Sequence, residues 1–180
     1  MGKKLVSQFM EKAKAVSAEV TRVKDCRQAY DTVVQIINEA KVTKVGCPAA
    51  LSKGLGTVLK ENGIVSVSQC SPQEAAELEI GITPGQVGIA ETGTVAHDAS
   101  ELFSRYFSML CSTNIVLLSA AQIKGTMDEA IKDLENDGVQ PGYTAFITGP
   151  SRTADIERVL TIGVHGPERL CIILIDGGEC

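Results

Sequence analysis

The sequence predicts an α/β protein built around a mostly parallel sheet. Strand-like and helix-like segments alternate along most of the 180 residues, an order that parallel sheets with crossover helices produce. The segments NIVLLS (114–119) and RLCIILID (169–176) are almost wholly apolar, which is typical of strands covered on both faces. Hydrophobic residues make up 44% of the chain, so it can fill a core without disulfides or metal ions.

The first 40 residues predict helices only. MEKAKAVSAEVTRVK (10–24) is interpreted as one helix, and in the next segment Val33, Ile36 and Ile37 fall on one helix face. We therefore expect an N-terminal helical segment at 1–40 and an α/β domain at 41–180, which together form one compact unit.

Two short strands are predicted at 42–47 and 64–68, with a helix at 49–63 between them. Gly63 suits the left-handed residue that ends such a helix. In SPQEAAEL (71–78), serine, proline and glutamate stand in the order of a helix N-cap, a first-turn proline and a capping box. The remaining elements are short strands and tight turns at 79–101, helices at 100–110 and 126–138, and a strand at 143–148.

Charge and hydropathy exclude several classes of partner. The net charge is −5, whereas nucleic-acid binding needs a clustered positive surface, so nucleic acid is not expected as a partner. No apolar stretch reaches the roughly 18–20 residues that a membrane helix needs. The basic start MGKK leads into no apolar core of a signal peptide, so a cytoplasmic location is expected.

Six cysteines are spread singly along the chain: Cys26, Cys47, Cys70, Cys111, Cys171 and Cys180. Because there is no C-x-x-C pair, a zinc or iron–sulfur site within the chain is not expected. In a reducing compartment we expect free thiols, those in apolar runs being small core residues, with Cys180 mobile.

The strongest local signal for chemistry is YTAFITGPSRTADIERVLTIG (143–163). A buried strand is expected to run into a turn, and a helix to start near Thr153, where free backbone amides attract an anion. The guanidinium of Arg152 matches a carboxylate or phosphate. The alternative is a capped helix with Arg152 in solvent or paired with Asp155. The candidate anion-binding residues here are Gly149, Ser151, Arg152, Thr153 and Asp155.

Two further candidates lie in glycine-containing turns. His165, within GVHGPERL (163–170), can act as a general base or hydrogen-bond donor, or can be a turn histidine hydrogen-bonded to the backbone. Glu91, within GIAETGT (88–94), has small neighbours, so a ligand can approach a nucleophilic or basic carboxylate. The alternative is a surface glutamate or one bonded to backbone amides. His97 is interpreted as a surface residue.

Three segments, in this order before a terminal hydrophobic strand, resemble those of a known family: GIAETGT (88–94), TGPSRTADIE (148–157) and GVHGPERL (163–170). RYFSML (105–110) is similar to the R-x-x-S-L-L element of that family. On these motifs the sequence resembles the LUD-domain family, the lactate utilization proteins, and within it the short single-domain C type. The resemblance covers residues 78–176.

The resemblance implies a three-layer α/β fold similar to the sugar-isomerase and CoA-transferase-like superfamily. It also implies oxidation of L-lactate to pyruvate beside iron–sulfur and cysteine-rich partner subunits, with no cofactor in this chain. Arg152 would hold the substrate carboxylate and His165 would bind or deprotonate its hydroxyl. Glu91 and Arg105 would complete a cleft at the carboxyl ends of the strands. The other residues assigned to this cleft are Thr92, Gly93, Thr94 and Gly166.

One departure from the family pattern leaves the function open. The family has Pro-Pro and then His before the strand that matches NIVLLS, whereas this chain has Cys111, Ser112, Thr113 and Asn114. One alternative is a non-catalytic assembly or regulatory subunit. Another is an acyl- or phosphate-transferring enzyme with Glu91 as nucleophile and a CoA- or nucleotide-like ligand. The main hypothesis needs a small carboxylate or phosphate ligand and convergence of the three motif segments, and it leaves homo-oligomerisation open.

Overall fold

The computed structural model describes residues 2–136, 142–153, 161–163, 165–178 and 180. The helices are α1 Gly2–Ala15, α2 Cys26–Ala40, α3 Leu55–Glu61, α4 Pro72–Glu77, α5 Leu102–Met109 and α6 Met127–Asn136. The strands are β1 Glu19–Val23, β2 Lys44–Gly46, β3 Val65–Val67, β4 Ile80–Gly85, β5 Val87–Ile89, β6 Thr94–Asp98, β7 Thr113–Ser119, β8 Ile123–Lys124, β9 Thr144–Ile147, β10 Arg152–Thr153, β11 Thr161–Ile162 and β12 Arg169–Ile175. None of these helices is long and apolar enough to cross a membrane.

Six strands form one parallel sheet in the order β1-β12-β7-β4-β2-β3. The inner strands β7 and β12 pair along their whole length, from Thr113 opposite Arg169 to Ser119 opposite Ile175. Every residue of β7 is buried, as is every residue of β12 after the first. The predicted α/β architecture is therefore confirmed, and the two apolar runs do form buried inner strands.

Side chains on the two faces of this sheet meet different covers, because successive residues of a strand point to opposite sides. On one face, Ile115 and Ile173 belong to a core that α2 and α3 complete. On the other face, Val116 and Ile172 pack with α1 and with residues of a second sheet. The parallel sheet is thus the middle of the layered arrangement that the resemblance implies.

The second sheet has four strands in the order β8-β5-β6-β9. β6 pairs antiparallel with both β5 and β9, and α6 covers the sheet where Ala130 packs with Val87, Ile89 and Ala96. The expectation of a buried strand at 143–148 is wrong, because β9 is an edge strand of this second sheet and is only partly buried.

The N-terminal segment is not all helical. α1 ends at Ala15, Ser17 takes a φ of 67°, and β1 follows at the edge of the parallel sheet, paired with β12. The expectation of helices only at 1–40 is therefore wrong at this strand. β1 is mostly exposed, so its sequence lacks the regular alternation of apolar and polar residues that marks a half-buried strand. Its conformation is instead determined by pairing with the distant strand β12.

Other local signals act as predicted. Oγ of Ser71 accepts from the backbone N–H of Glu74, and the Glu74 carboxylate accepts from the N–H of Ser71, which completes the capping box. Gly63 takes a φ of +73° just beyond α3. The predicted helix at 49–63 is divided into a 3-10 turn at Ala49–Leu51 and then α3.

Cys26 and Cys180 are joined by a disulfide bond, with their Cα atoms 5.5 Å apart. The expectation of free thiols is therefore wrong for this pair, and Cys180 is anchored rather than mobile. The 154 residues between them conceal the pairing in the sequence, because only the fold returns the segment after β12 to the start of α2. The other four cysteines are free.

The segment after Pro150 also differs from expectation. Arg152 and Thr153 form β10, which pairs antiparallel with β11. A helix therefore does not start at Thr153, because these two residues are held in a strand ladder. Asp155, assigned to the same helix start, lies outside the described residues.

Candidate functional site

The motif segments predicted to form the site meet beside the end of α1. In the turn between β5 and β6, Gly93 takes a φ of +71°, and a Cβ atom there would lie 2.2 Å from the backbone nitrogen of Ala13. Gly149 takes a φ of +75°, and a Cβ atom there would lie 2.3 Å from the carbonyl oxygen of Val16. Both positions therefore require glycine, and both motif segments contact the same helix end.

A row of threonine hydroxyls joins the same two segments. Oγ1 of Thr94 lies 2.7 Å from Oγ1 of Thr92 and 2.8 Å from Oγ1 of Thr148. Thr94 is buried, whereas Thr92 and Thr148 are exposed. Since a hydroxyl can donate one hydrogen bond and accept two, each outer hydroxyl keeps capacity for a further partner.

Arg152 is directed to the end of α1 as well. Its Nη2 donates to the carbonyl oxygen of Val16 at 2.7 Å and to Oγ of Ser17 at 2.6 Å. The carbonyl end of a helix favours cations, and Lys12 and Lys14 also lie in this last turn. Within the described residues no carboxylate contacts Arg152; Asp155, the alternative partner, lies outside them. Because β1 starts just after these contacts, Arg152 lies at the amino-terminal edge of the parallel sheet.

The third motif segment packs against Ser151. The N–H of Ser151 donates to the carbonyl oxygen of Pro167 at 2.8 Å. The carbonyl oxygen of Ser151 in turn accepts from the N–H of Gly163 at 3.0 Å. A Cβ atom at Gly166 would lie 3.2 Å from Cβ of Ser151. Since Pro167 lies just before β12, the backbones of all three motif segments converge at the amino-terminal edge.

The predicted position of the site at the carboxyl ends of the strands is therefore wrong. The segment that carries Arg152 follows β9, and β9 belongs to the second sheet, so its end does not lie at the carboxyl edge of the parallel sheet. Contacts with residues just before β1 and β12 place this segment at the opposite edge.

His165 is exposed and lines a depression of about 370 Å³. Met109 and Leu110, at the end of α5, form part of its wall, as do Ser112 and Glu168, which lie just before β7 and β12. The depression is thus also at the amino-terminal edge. Within the described part of the chain the imidazole of His165 makes no hydrogen bond.

Glu91 and Arg105 contact other parts of the molecule. Oε1 of Glu91 accepts from the N–H of Met127 at 2.8 Å, at the start of α6, which corresponds to the alternative of a carboxylate bonded to backbone amides. Nε of Arg105 donates to the carbonyl oxygen of Ala99 at 2.9 Å, and its guanidinium lies 4.4 Å from the centre of the Tyr143 ring. Among the residues that the structure describes, neither side chain contacts another predicted site residue.

A different cleft, of about 220 Å³, lies at the carboxyl ends of β4, β7 and β12. Uncharged residues line it: Leu51, Pro84, Gly85, Gln86, Leu117, Ser119, Ile175 and Cys180. Oε1 of Gln86 accepts from the N–H of Asp98, which orients the carboxamide and leaves its two N–H donors available. The described part of this lining includes none of the predicted site residues.

This carboxyl-edge cleft could have been found from the sequence. Ligands of parallel α/β sheets bind just beyond the carboxyl ends of strands. Applied to the strands at 80–85 and 113–119, that rule indicates Gln86 and Ser119. The contribution of Cys180 has no such signal, because it depends on the disulfide with Cys26.

His97 is not a surface residue, contrary to the expectation, because β6 lies between layers and is buried on both sides. Its Nδ1 lies 2.7 Å from the carbonyl oxygen of Pro84, and its Nε2 lies 3.3 Å from Oγ of Ser104. Burial lowers the pKa of His97, and the hydrogen bonds oppose this effect only in part. The ring is therefore neutral at neutral pH.

Asn114, one of the positions that depart from the family pattern, lies in the core of the protein. Its Oδ1 accepts from Oγ1 of Thr83 at 3.0 Å, and its Nδ2 has no partner among the described residues. In the same part of the chain, no group of three histidine, cysteine, aspartate or glutamate side chains is arranged to hold a metal ion.

Comparison with protein families identifies the chain. The profile of the LUD domain matches residues 6–175, nearly the whole sequence. The chain belongs to the LUD-domain family. The resemblance carried by the three motif segments is thereby confirmed.

Several relatives of this LUD domain are named lactate utilization protein C. The protein of Shouchella clausii is 36% identical over 112 residues, which are 61% of this chain and 49% of the relative. That of Bacillus subtilis is 35% identical over 108 residues, 58% of this chain and 45% of the relative. That of Halalkalibacterium halodurans is 28% identical over 182 residues, 96% of this chain and 79% of the relative. The match thus spans about half the length of the first two relatives.

A solved structure has the same fold as this LUD domain. A DUF162 family protein from Deinococcus radiodurans is similar with a TM-score of 0.74, over 97% of this chain and 98% of that protein. The two sequences are 18% identical, so the likeness concerns the fold.

Proposed function

We propose that this LUD domain acts in lactate utilisation by binding a small 2-hydroxycarboxylate or 2-oxocarboxylate at the amino-terminal edge of its parallel sheet. The observation that carries the proposal is the convergence of three motif segments at this edge, where Arg152 is placed with no carboxylate against it among the described residues. The name that the relatives share supplies the substrate class.

In this proposal Arg152 binds the carboxylate through its positive charge and through the N–H groups of Nε and Nη1, because both hydrogens of Nη2 are donated to Val16 and Ser17. The outer hydroxyls of Thr92 and Thr148 bind the remaining ligand oxygens. Lys12 and Lys14 add positive charge to this edge of a chain whose net charge is −5. A local positive field of this kind attracts an anion even when the whole protein is acidic.

Oxidation of L-lactate to pyruvate releases two protons and two electrons. We assign to His165, exposed at the same edge, the hydrogen bond to the substrate hydroxyl and the acceptance of its proton. The second proton, from C2, and both electrons would pass to partner subunits of a cytoplasmic complex, whose iron–sulfur clusters would accept the electrons. No step in this scheme uses Glu91, whose carboxylate accepts from the N–H of Met127.

A second function, as a non-catalytic assembly subunit, is favoured by one observation. Met109 and Leu110, which form a wall of the depression that His165 lines, are 45% and 39% exposed. Exposed apolar side chains beside a polar group are typical of protein–protein contacts. In that case a partner subunit covers the depression and supplies the catalytic groups.

The first test is calorimetric titration of the Arg152→Ala variant with L-lactate and with pyruvate. Loss of a charged hydrogen bond of about 1.5–3 kcal/mol should weaken binding roughly ten- to hundredfold. Arg22→Ala is the matched control, because Arg22 is also partly exposed but pairs with Asp176 at the carboxyl edge. Unchanged affinity in Arg152→Ala would remove this residue from the site.

The second test separates catalysis from assembly. His165→Gln should bind the partner subunits but lose lactate oxidation in the reconstituted system, since glutamine cannot accept the proton. Met109→Ser should affect co-purification instead. Full turnover with His165→Gln, together with lost co-purification of Met109→Ser, would favour the assembly role.

A further inference from the structure

The carboxyl-edge cleft is partly walled by a residue that a covalent bond holds in place. Cys180 lines the cleft and is exposed, and its disulfide partner Cys26 is the first residue of α2 and is partly exposed. Solvent therefore reaches both residues of the pair, and Cys180 lies at the edge of a cavity.

Residue 180 is held mainly by the disulfide bond. Asp176 is fixed separately, since its N–H donates to the carbonyl oxygen of Val23 at 3.0 Å and its carboxylate pairs with Arg22 at 2.9 Å. A Cβ atom at Gly177 would lie 2.9 Å from the carbonyl oxygen of Lys24, so the chain is closely packed there, whereas a Cβ atom at Gly178 would have nothing within 4 Å. Within the described residues the other hold on Cys180 is a hydrogen bond of 3.3 Å that its carbonyl oxygen accepts from the Tyr30 hydroxyl.

The remaining cysteines are poorly suited to thiol chemistry. Burial raises the pKa of Cys47 and of Cys111 to about 12, and that of Cys171 to about 11. Cys70 is partly buried, and burial raises its pKa as well. Because the thiolate is the reactive form, these four thiols are less suited to exchange reactions than an ordinary exposed cysteine.

We propose that Cys26 and Cys180 form a redox-active pair, and that its reduction by a dithiol opens the carboxyl-edge cleft. A thiolate of the dithiol attacks Sγ of the exposed residue Cys180, and the S–S bond breaks with Cys26 leaving as thiolate. The second thiol of the dithiol then releases Cys180. The dithiol is oxidised to its disulfide and supplies both electrons and both protons that convert the pair to two thiols.

Once released, residue 180 no longer walls the cleft, while Asp176 stays paired with Arg22. The hydroxyl of the buried Ser119 then becomes accessible from solvent, and the side chain of Gln86, which is already partly exposed, becomes more so. This inference concerns the edge opposite to Arg152 and stands independently of the proposed function.

Thiol counting tests the pair itself. After incubation with oxidised glutathione and denaturation without reductant, the protein should show four reactive thiols, and six after dithiothreitol. Peptide mapping should place both additional thiols at Cys26 and Cys180. Six thiols before reduction would overturn the proposal.

Solvent accessibility tests the opening. With a soluble paramagnetic probe, amide relaxation at Gly85, Gln86 and Ser119 should increase on reduction, while the amides of Ser112 and Glu168 at the amino-terminal edge should not change. Cys180→Ser should show the open pattern with or without reductant. Cys70→Ser, the matched control, should keep the redox response. Equal relaxation of the cleft amides in oxidised, reduced and Cys180→Ser protein would refute the opening.

Discussion

The two edges of the parallel sheet carry different chemistry. At the amino-terminal edge, glycines and threonines of the motif segments pack against the end of α1, and Arg152 adds positive charge. At the carboxyl edge, a cleft whose described lining is uncharged is bounded in part by Cys180, which a disulfide bond joins to Cys26. The comparison teaches that the most distinctive residues of a sequence and its cleft at the strand ends can lie on opposite sides of one sheet. The glycines of the motifs are required by close contacts between backbones, whereas the cleft is formed by the carboxyl ends of the strands.

The largest effect is expected at the carboxyl edge. Breaking the disulfide, by dithiothreitol or by Cys180→Ser, should lower the free energy of unfolding by about 2–5 kcal/mol, because the bond restricts the unfolded chain. Urea titrations with and without reductant measure this. Cys70→Ser should change stability by less than about 1 kcal/mol. Identical unfolding curves for oxidised and reduced protein would show that the bond contributes nothing.

The next effect is expected at the amino-terminal edge. Gly93→Ala should cost about 2–4 kcal/mol, because it adds a clash with the backbone of Ala13 to the penalty for a positive φ. Gly63→Ala has a similar φ of +73° and nothing within 4 Å, so it should cost only about 1–2 kcal/mol. Thermal or urea unfolding compares the two, and equal costs would contradict the close contact with α1.

The imidazole of His97, which contacts the carbonyl oxygen of Pro84 at the carboxyl edge, should make the free energy of unfolding depend on pH. Its pKa is lowered in the folded state, so below about pH 6.5 the unfolded chain takes up a proton that the folded chain does not. Stability should therefore fall as the pH decreases, by up to about 1.4 kcal/mol per pH unit.

The His97→Gln variant should be less stable at neutral pH but should lose this part of the pH dependence. Urea unfolding at pH 7.5 and 5.5 measures the slope. The exposed His165 provides the matched control, since His165→Gln should retain the slope of the unmodified chain. If His97→Gln left this slope unchanged, the pH dependence of stability would have to come from another titratable group.

The smallest effect compares one arginine at each edge. Arg152→Ala should lower stability by about 1 kcal/mol, because the guanidinium binds the carbonyl end of α1. Arg22→Ala removes a pair with Asp176 that solvent reaches, and should cost about 0–0.5 kcal/mol. Added salt should weaken both contributions. A larger loss from Arg22→Ala would reverse the comparison.

Elements encoded within a few neighbouring residues could be predicted. The capping box at Ser71–Glu74 and the buried strands β7 and β12 depend on side chains adjacent in sequence, and they form as expected. Glu91 shows the limit of such reasoning. Both a ligand-binding role and a helix-capping role fit its local sequence, and only the position of α6 selects the second contact.

The sequence by itself determined the fold class, most element boundaries and the family, because periodicity, caps and motifs are local properties. Tertiary structure decided that Glu19–Val23 is a strand, that His97 is buried, that Cys26 meets Cys180, and which edge Arg152 occupies. Each of these depends on contacts between residues far apart in the chain. The free energy that stabilises these contacts arises only when the layers pack together, so it cannot be predicted from residues that are neighbours in the sequence.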